Sequence, residues 1–453
     1  MRKHSMRIVA LGVVILVLIA GVAAYFGVTS YIDSLPKVNF SLNKSAGKAP
    51  AYPDARFGVI TDLHYYDTAL GTTGEAFEVV LRSDRKLLIE SAELLDFAIR
   101  ELSVANLDFV LVCGDLTKDG EAINHYQVSD RLLELVEQGI RVYVTPGNHD
   151  IRNFHAEEYL GDSTQPVTSI SPGEFREIYA RMGYGDAVMS DPHSLSYVVE
   201  PLPGLWLLSI DACLYNENSA EGHGSVVGGR IRQDQADWLC GVLEEALFRE
   251  KAVIAFMHHG VVEHWPGQSK LHPAYLVEDY KYFAEFLASH KVQLVFTGHY
   301  HAQNIAATNF GSDLIYDIET GSLVTYPCPT RYINLQKGRL TVETRTIGDR
   351  LRPGSDFATK AEAWVWSMVA KEAEDTLFKY KVSSADAAYI ASAVADAFLA
   401  HYHGDADPAA RPSFDRSRLN PWGRIIFMTQ GYVLDGLWTP SPLADNNLTI
   451  DLR

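Results

Sequence analysis

The chain has 453 residues, 47% apolar and 11% aromatic, so it can bury a large core in two or three domains and is neither disordered nor fibrous. With 39 Lys and Arg against 57 Asp and Glu, its net charge of −18 excludes a broad basic surface for nucleic-acid backbones. A small phosphate ester held by local cations stays compatible with that charge.

Arg2, Lys3 and Arg7 precede an uncharged run over residues 8–28. At ~1.5 Å per helical residue that run spans roughly 30 Å, enough to cross a bilayer. The basic flank puts the N-terminus in the cytoplasm, so residues 1–30 read as a single-pass anchor with the rest of the chain on the extracytoplasmic side. Cleavage near Val28-Thr29-Ser30, giving a secreted protein, is the alternative, and no Cys follows the run to take a lipid. Residues 31–54 are polar and aperiodic and read as a tether. Cys113, Cys213, Cys240 and Cys328 are too scattered for a disulfide scaffold, although the compartment permits a Cys213–Cys240 bridge; Cys113, inside a strand, reads as packing.

From residue 55 the apolar runs are short and nearly continuous, over 57–60, 109–112, 142–144, 205–210, 253–257 and 292–296. Such runs fit strands buried on both faces. Helical periodicity lies between them over 86–102 and 233–248, giving an α/β domain over residues 55–352. Beyond residue 315 the pattern turns to strand, turn, strand, with Lys337-Gly338 at the turn. Arg352-Pro353-Gly354-Ser355 breaks the chain, and residues 353–453 read as a small helical domain. Its stripes run through Ala361, Trp364, Val365 and Met368, then Ile390, Val394 and Phe398; Ser384 reads as an N-cap, and a third helix covers 425–437.

Five polar clusters each follow an apolar run: Asp62-Leu63-His64, Gly114-Asp115, Gly147-Asn148-His149-Asp150, His258-His259 and Gly298-His299-Tyr300-His301. In open α/β sheets the carboxyl ends of strands open onto the ligand crevice, so these clusters should converge. Oxygen and imidazole donors without thiolate suit Fe, Mn, Zn or Co, and the set is too large for one tetrahedral ion but right for two sharing a carboxylate. Paired ions can clamp the attacking and leaving oxygens of a phosphoryl displacement.

In that order the blocks resemble the calcineurin-like metallophosphoesterase superfamily over residues 56–350. Gly114-Asp115-Leu116-Thr117-Lys118-Asp119-Gly120-Glu121, the Gly-Asn-His-Asp block and the helical C-terminal segment are similar to bacterial class III cyclic-nucleotide phosphodiesterases of the Listeria type. The resemblance implies a four-layer α/β/β/α sandwich and two divalent or mixed-valence transition-metal ions. It implies Asp62, His64 and His301 on the first ion, Asp115 bridging, and Asn148, His258 and His299 on the second. The choice of His258 over His259 rests on it alone. His149, not needed as a ligand, is assigned to the leaving-group oxygen, against a rival role of orienting Asn148. Asp150 is read either as orienting an imidazole or as a helix cap.

His125, Tyr126 and Arg331 are weighed as pocket residues, Arg331 as a bidentate phosphate ligand, against structural roles. The Trp364 and Trp366 pair is read as packing rather than base stacking. The expected activity is hydrolysis of small phosphodiesters, including cyclic nucleotides, by a metal-bridging hydroxide. A phosphomonoesterase of nucleotidase or acid-phosphatase type, or a non-catalytic membrane-anchored binding protein of the same fold, is the alternative. There is no Gly-x-Ser-x-Gly elbow or Walker loop to supply other chemistry. The partners expected are a small phosphate ester and, through the N-terminal run, the membrane, with no nucleic-acid polymer.

Overall fold

Buried strands dominate the first part of the chain because its apolar runs leave no polar face. The computed structural model describes residues 38–43, 47–222 and 224–452. The expected anchor over 8–28 lies outside them, and among the described residues no helix is long and apolar enough to cross a membrane.

In chain order come β1 (Ala55–Ile60), α1 (Glu75–Leu81), α2 (Ser91–Ser103), β2 (Phe109–Cys113), α3 (Ala122–Glu137) and β3 (Arg141–Thr145). A hairpin of β4 (Glu157–Leu160) and β5 (Ser163–Pro166) leads to α4 (Pro172–Ile178), β6 (Met189–Ser190), β7 (Tyr197–Leu202) and β8 (Leu205–Ile210). Then follow α5 (Gln233–Phe248), β9 (Ala252–Met257), α6 (Gln268–Leu271), α7 (Tyr280–Ser289) and β10 (Leu294–Thr297). Four longer strands come next: β11 (Asn304–Phe310), β12 (Asp313–Glu319), β13 (Pro329–Gln336) and β14 (Arg339–Thr346). The chain finishes with α8 (Phe357–Lys379), α9 (Ser384–His403), α10 (Pro421–Gln430), α11 (Tyr432–Leu437) and β15 (Asn447–Asp451).

The strands form two large mixed sheets, ordered β15-β14-β13-β1-β2-β3 and β11-β12-β10-β9-β8-β7-β6. In the first, β1, β2 and β3 run parallel; in the second, β8, β9, β10 and β12 do. The sheets share a dry core in which Phe57 stacks on Phe109 at 4.6 Å between centroids and meets Phe296 edge-on at 5.3 Å. Each such ring pair adds about 0.5–1.5 kcal/mol beyond its burial, and the Phe57–Phe296 pair spans the two sheets. Helices α2 and α3 cover the outer face of the first sheet, and α5 and α7 that of the second. Helix, sheet, sheet and helix thus make four layers.

Four sequence expectations change. The helix over 86–102 begins at Ser91, because Leu87 donates its N–H to the Val324 carbonyl and Lys86 to Asp84, holding residues 82–90 as a loop. The N-cap of α9 is Ser383 rather than Ser384, its hydroxyl accepting from the Asp386 N–H. The helix over 425–437 is two helices meeting at Gly431. The C-terminal segment is also not wholly helical: β15 pairs antiparallel with β14, returning the chain to the first sheet.

Candidate metal centre

The carboxyl ends of β1, β2 and β3 in one sheet and β9 and β10 in the other meet at one edge, and the five polar clusters are the loops that leave them. The loops turn sharply there. Asp62, His64, Asp115, His299 and His301 all have positive φ, between 35° and 74°. Non-glycine residues rarely adopt that region, and its strain persists only where surrounding structure over-determines it. Glycine makes the close approach: a Cβ on Gly298 would lie 2.1 Å from Thr61 Oγ1 and 2.5 Å from Asp62 Oδ2, and one on Gly147 would lie 2.1 Å from Asp115 Oδ1.

Each carboxylate uses one oxygen for the protein and presents the other. Asp62 Oδ2 accepts from the His299 N–H at 3.0 Å and the Thr61 hydroxyl at 2.7 Å, while Oδ1 is buried without a hydrogen-bond partner. That oxygen faces His301 Nε2 at 3.3 Å and His64 Nε2 at 3.9 Å, and the two nitrogens are 3.2 Å apart. Asp115 Oδ1 accepts from the His149 N–H at 2.8 Å, leaving Oδ2 between His258 Nε2 at 3.3 Å and His64 Nε2 at 3.6 Å. His258 turns Nδ1 to the Cys113 carbonyl at 2.9 Å, so its Nε2 faces Asn148 Oδ1 at 3.2 Å. His299 Nε2 lies 3.3 Å from the Ala274 carbonyl, which leaves Nδ1 for the cluster.

A bare buried carboxylate oxygen among imidazole nitrogens is costly unless a cation sits between them. Asp62, His64 and His301 form one group and Asp115, His258 and His299 another, each with ligand atoms within 4.8 Å of one another. Asp115 Oδ2 lies between the two. Burial holds the His64 and His299 imidazoles well below their ordinary pKa, so both offer neutral lone pairs. The donor set fits a pair of transition-metal ions, and contains no thiolate.

His149 sits beside these groups, its ring meeting His64 edge-on at 4.9 Å. Its Nδ1 is 2.9 Å from Asp119 Oδ1, which also accepts from Asn153 Nδ2 at 3.2 Å. Burial lowers the His149 pKa, but the Asp115 and Asp119 carboxylates outweigh it and raise it overall. Asp119 is the partner the residue-by-residue reading missed; its signal was the second Asp four residues after Asp115 in one loop. The Asp150 carboxylate neither caps a helix nor orients an imidazole. Its carboxylate accepts from the N–H groups of Gly147, Leu116 and Thr117, tying the Asp115 and Asn148 loops together.

Other sequence candidates fall outside the cluster. His259 turns Nε2 to the Val227 carbonyl at 3.0 Å. His125 is buried between the Tyr179 hydroxyl and the Asp150 carbonyl, and Tyr126 is exposed on the outside of α3. Of the two roles weighed for Arg331 the structural one holds: it is fully buried and donates to the carbonyls of Asp445 and Glu319, both at 2.6 Å. Trp366 donates to Asp396 across the α8–α9 contact, a packing role. All four cysteines are free, so no Cys213–Cys240 bridge forms.

The cluster opens into a cleft of about 500 Å³, lined by Asp115, Asn148, His149, His299 and His301 at its floor. Arg82, Arg85 and Lys86 line one wall, and Lys371, Glu372 and Lys379 of α8 another. Sequence periodicity gives no sign of this cation cluster, because the loop and the C-terminal helix that carry it lie far apart in the chain.

Residues 55–303, more than half of the chain, match the calcineurin-like phosphoesterase family. The chain belongs to that family. Among solved structures, the phosphoesterase is similar to a dimetal phosphatase from Danio rerio, 20% identical with a TM-score of 0.45, over 65% of this chain and 97% of that one. It is also similar to a purple acid phosphatase from yellow lupin (Lupinus luteus) seeds, 12% identical with a TM-score of 0.41, over 67% of this chain and 53% of that one. No curated protein matches the sequence. The β11–β14 strands and the α8 wall lie beyond the matched residues.

Proposed function

We propose that this phosphoesterase hydrolyses small phosphodiesters at a dinuclear centre, held by Asp62, His64 and His301 on one side and Asn148, His258 and His299 on the other. The observation that carries the reading is the placement of Asp115 Oδ2 between His64 and His258, the position a shared carboxylate must occupy. When bound, the ions supply a nucleophile from water at neutral pH and neutralise charge on the phosphoryl oxygens. Asp119 fixes the His149 ring through Nδ1, so Nε2 serves the leaving-group oxygen and delivers its proton. Arg85 and Lys86 set positive charge along the cleft for an anionic substrate. Cyclic nucleotides are members of the substrate class by the sequence resemblance.

The uncharged run over 8–28 behind Arg2, Lys3 and Arg7 supports a membrane-anchored enzyme whose catalytic part faces the extracytoplasmic side. Turnover of bis(para-nitrophenyl) phosphate and para-nitrophenyl phosphate by protein stripped of metal and reloaded with Mn, Fe or Zn tests the reading. Diester turnover restored by metal is expected; a large preference for the monoester would falsify it in favour of a phosphomonoesterase.

A further inference from the structure

We propose that the substrate is an amphiphilic phosphodiester whose hydrocarbon tail enters a second cavity, walled by the C-terminal helices and joined to the phosphate cleft. The proposal rests on the diesterase reading above and adds the class of substrate. A separate cavity of about 200 Å³ lies among α8, α9, α10 and α11, and Arg85, Glu372 and Thr376 line both it and the cleft. The two spaces therefore meet at one place, marked by the Arg85–Glu372 ion pair at 3.6 Å. In this proposal a molecule with its phosphate at the metal donors displaces that pair and continues into the helices.

The lining of the second cavity decides what continues. Val369 and Leu377 of α8, Ile390 and Phe398 of α9, Ile426 of α10 and Val433 of α11 give it aliphatic and phenyl walls. A nucleobase there would bury its polar edge against hydrocarbon along most of the wall and lose water without replacement. An alkyl chain gains from the same burial at every methylene. Small-molecule sites combine such an apolar body with a few placed polar groups; here Arg85, Glu372 and Thr376 stand at the phosphate end, and His272, Tyr380 and Gln430 interrupt the apolar wall elsewhere.

The outer side of the same wall is apolar as well. Helix α10 buries Ile426 and Phe427 inward but leaves Trp422 46%, Ile425 50% and Met428 80% exposed, three residues apart along one face. Arg424 on the same helix is exposed as well. A helix with Trp and aliphatic groups on one face and Arg on its flank is suited to a lipid–water interface. The tail cavity thus lies behind a helix whose outer face favours the place where such substrates are found. In the reaction water adds to phosphorus and the P–O bond to the leaving alcohol breaks. The tailed monoester and the alcohol result, with no oxidant or co-reactant.

A series of alkyl para-nitrophenyl phosphates, from methyl through hexyl to dodecyl, assayed with the full-length metal-reloaded enzyme below the micelle concentration, tests this directly. The leaving group is constant, so only the tail varies. We expect kcat/KM to rise roughly threefold per methylene until the cavity is filled, and Ala373→Phe, which narrows the cavity, to bring the hexyl-to-methyl ratio towards one. The unmodified enzyme decides the matter even if that variant does not fold. A flat or falling dependence on tail length, with the methyl ester still cleaved, overturns the amphiphile and leaves the diesterase intact. Turnover of para-nitrophenyl phosphate with no diester cleaved overturns both. Presenting the dodecyl ester in phosphatidylcholine vesicles separates the sources: a rate above that of the dispersed ester assigns the bilayer, a lower one the free monomer.

Discussion

The floor of the cleft and its outer wall are built by opposite means. The floor consists of strand-end loops with buried side chains, positive φ at five of the donor residues, and each carboxylate pinned by backbone N–H groups. The wall consists of exposed side chains on α8 and partly buried cations of the 82–90 loop, held by ion pairs such as Lys371–Asp375 at 3.1 Å and Arg85–Glu372 at 3.6 Å. Exposed pairs of that kind are worth only ~0–1 kcal/mol. Chemistry that demands fixed donor positions is placed where the fold cannot relax, and substrate choice is left to a surface that can change without disturbing it.

If that division is right, damage should be severe at the floor and graded at the wall. Asp115→Asn should cause the largest loss, at least ~10³-fold in turnover together with loss of metal, since one oxygen serves both groups. Metal analysis alongside activity checks this, and a variant that kept wild-type metal content and turnover would refute the centre. Asp119→Asn touches the floor without touching a metal donor. It should lower kcat by ~10–100-fold with metal content kept, and more for esters of poorly acidic alcohols than for nitrophenyl esters. An equal loss on both kinds of ester would show that Asp119 only supports the loop.

At the wall, Lys371→Ala should raise KM by roughly threefold to tenfold and move kcat less, with the difference shrinking as salt is added. A kcat effect as large as that of Asp119→Asn would erase the distinction between wall and floor. The smallest effect on turnover is expected from His264, buried away from the cleft with its Nε2 3.3 Å from both Asp317 and Glu319. Burial lowers its pKa, but the Glu319 and Asp317 carboxylates outweigh it and raise it to about 9. The folded state thus holds that proton more tightly than the unfolded chain. Its contribution, on the order of 1–3 kcal/mol, is full below ~6.5 and lost as pH rises through about 9. Urea midpoints between pH 6 and 10 should fall for the native protein and fall less for His264→Gln.

Much of the centre was legible from residue order. Asp62, His64, Asp115, Asn148, His258, His299 and His301 each follow a buried strand, and strand periodicity is written locally in the sequence. The hairpin at Lys337-Gly338 was equally local, both residues taking positive φ as such turns require. What escaped was non-local. A structural role for Arg331 was foreseen but not its partner: β15 returns from the end of the chain, and the segment preceding it supplies the Asp445 carbonyl that Arg331 holds. Asp150 satisfies three N–H groups from two loops, which no spacing within its own segment announces.

The sequence by itself determined the buried strands, the run of donors at their ends and the absence of thiolate among them, because those follow from short-range patterning and side-chain chemistry. Tertiary structure decided which oxygen of Asp62 and Asp115 stays bare, which nitrogen of each histidine faces inward, and that Asp119 holds His149. It also decided that α8 closes one side of the cleft and opens an apolar space behind it. Those outcomes depend on contacts between residues up to hundreds of positions apart, such as the His299 N–H on Asp62 at a separation of 237, and only packing two sheets against each other brings them within hydrogen-bonding reach.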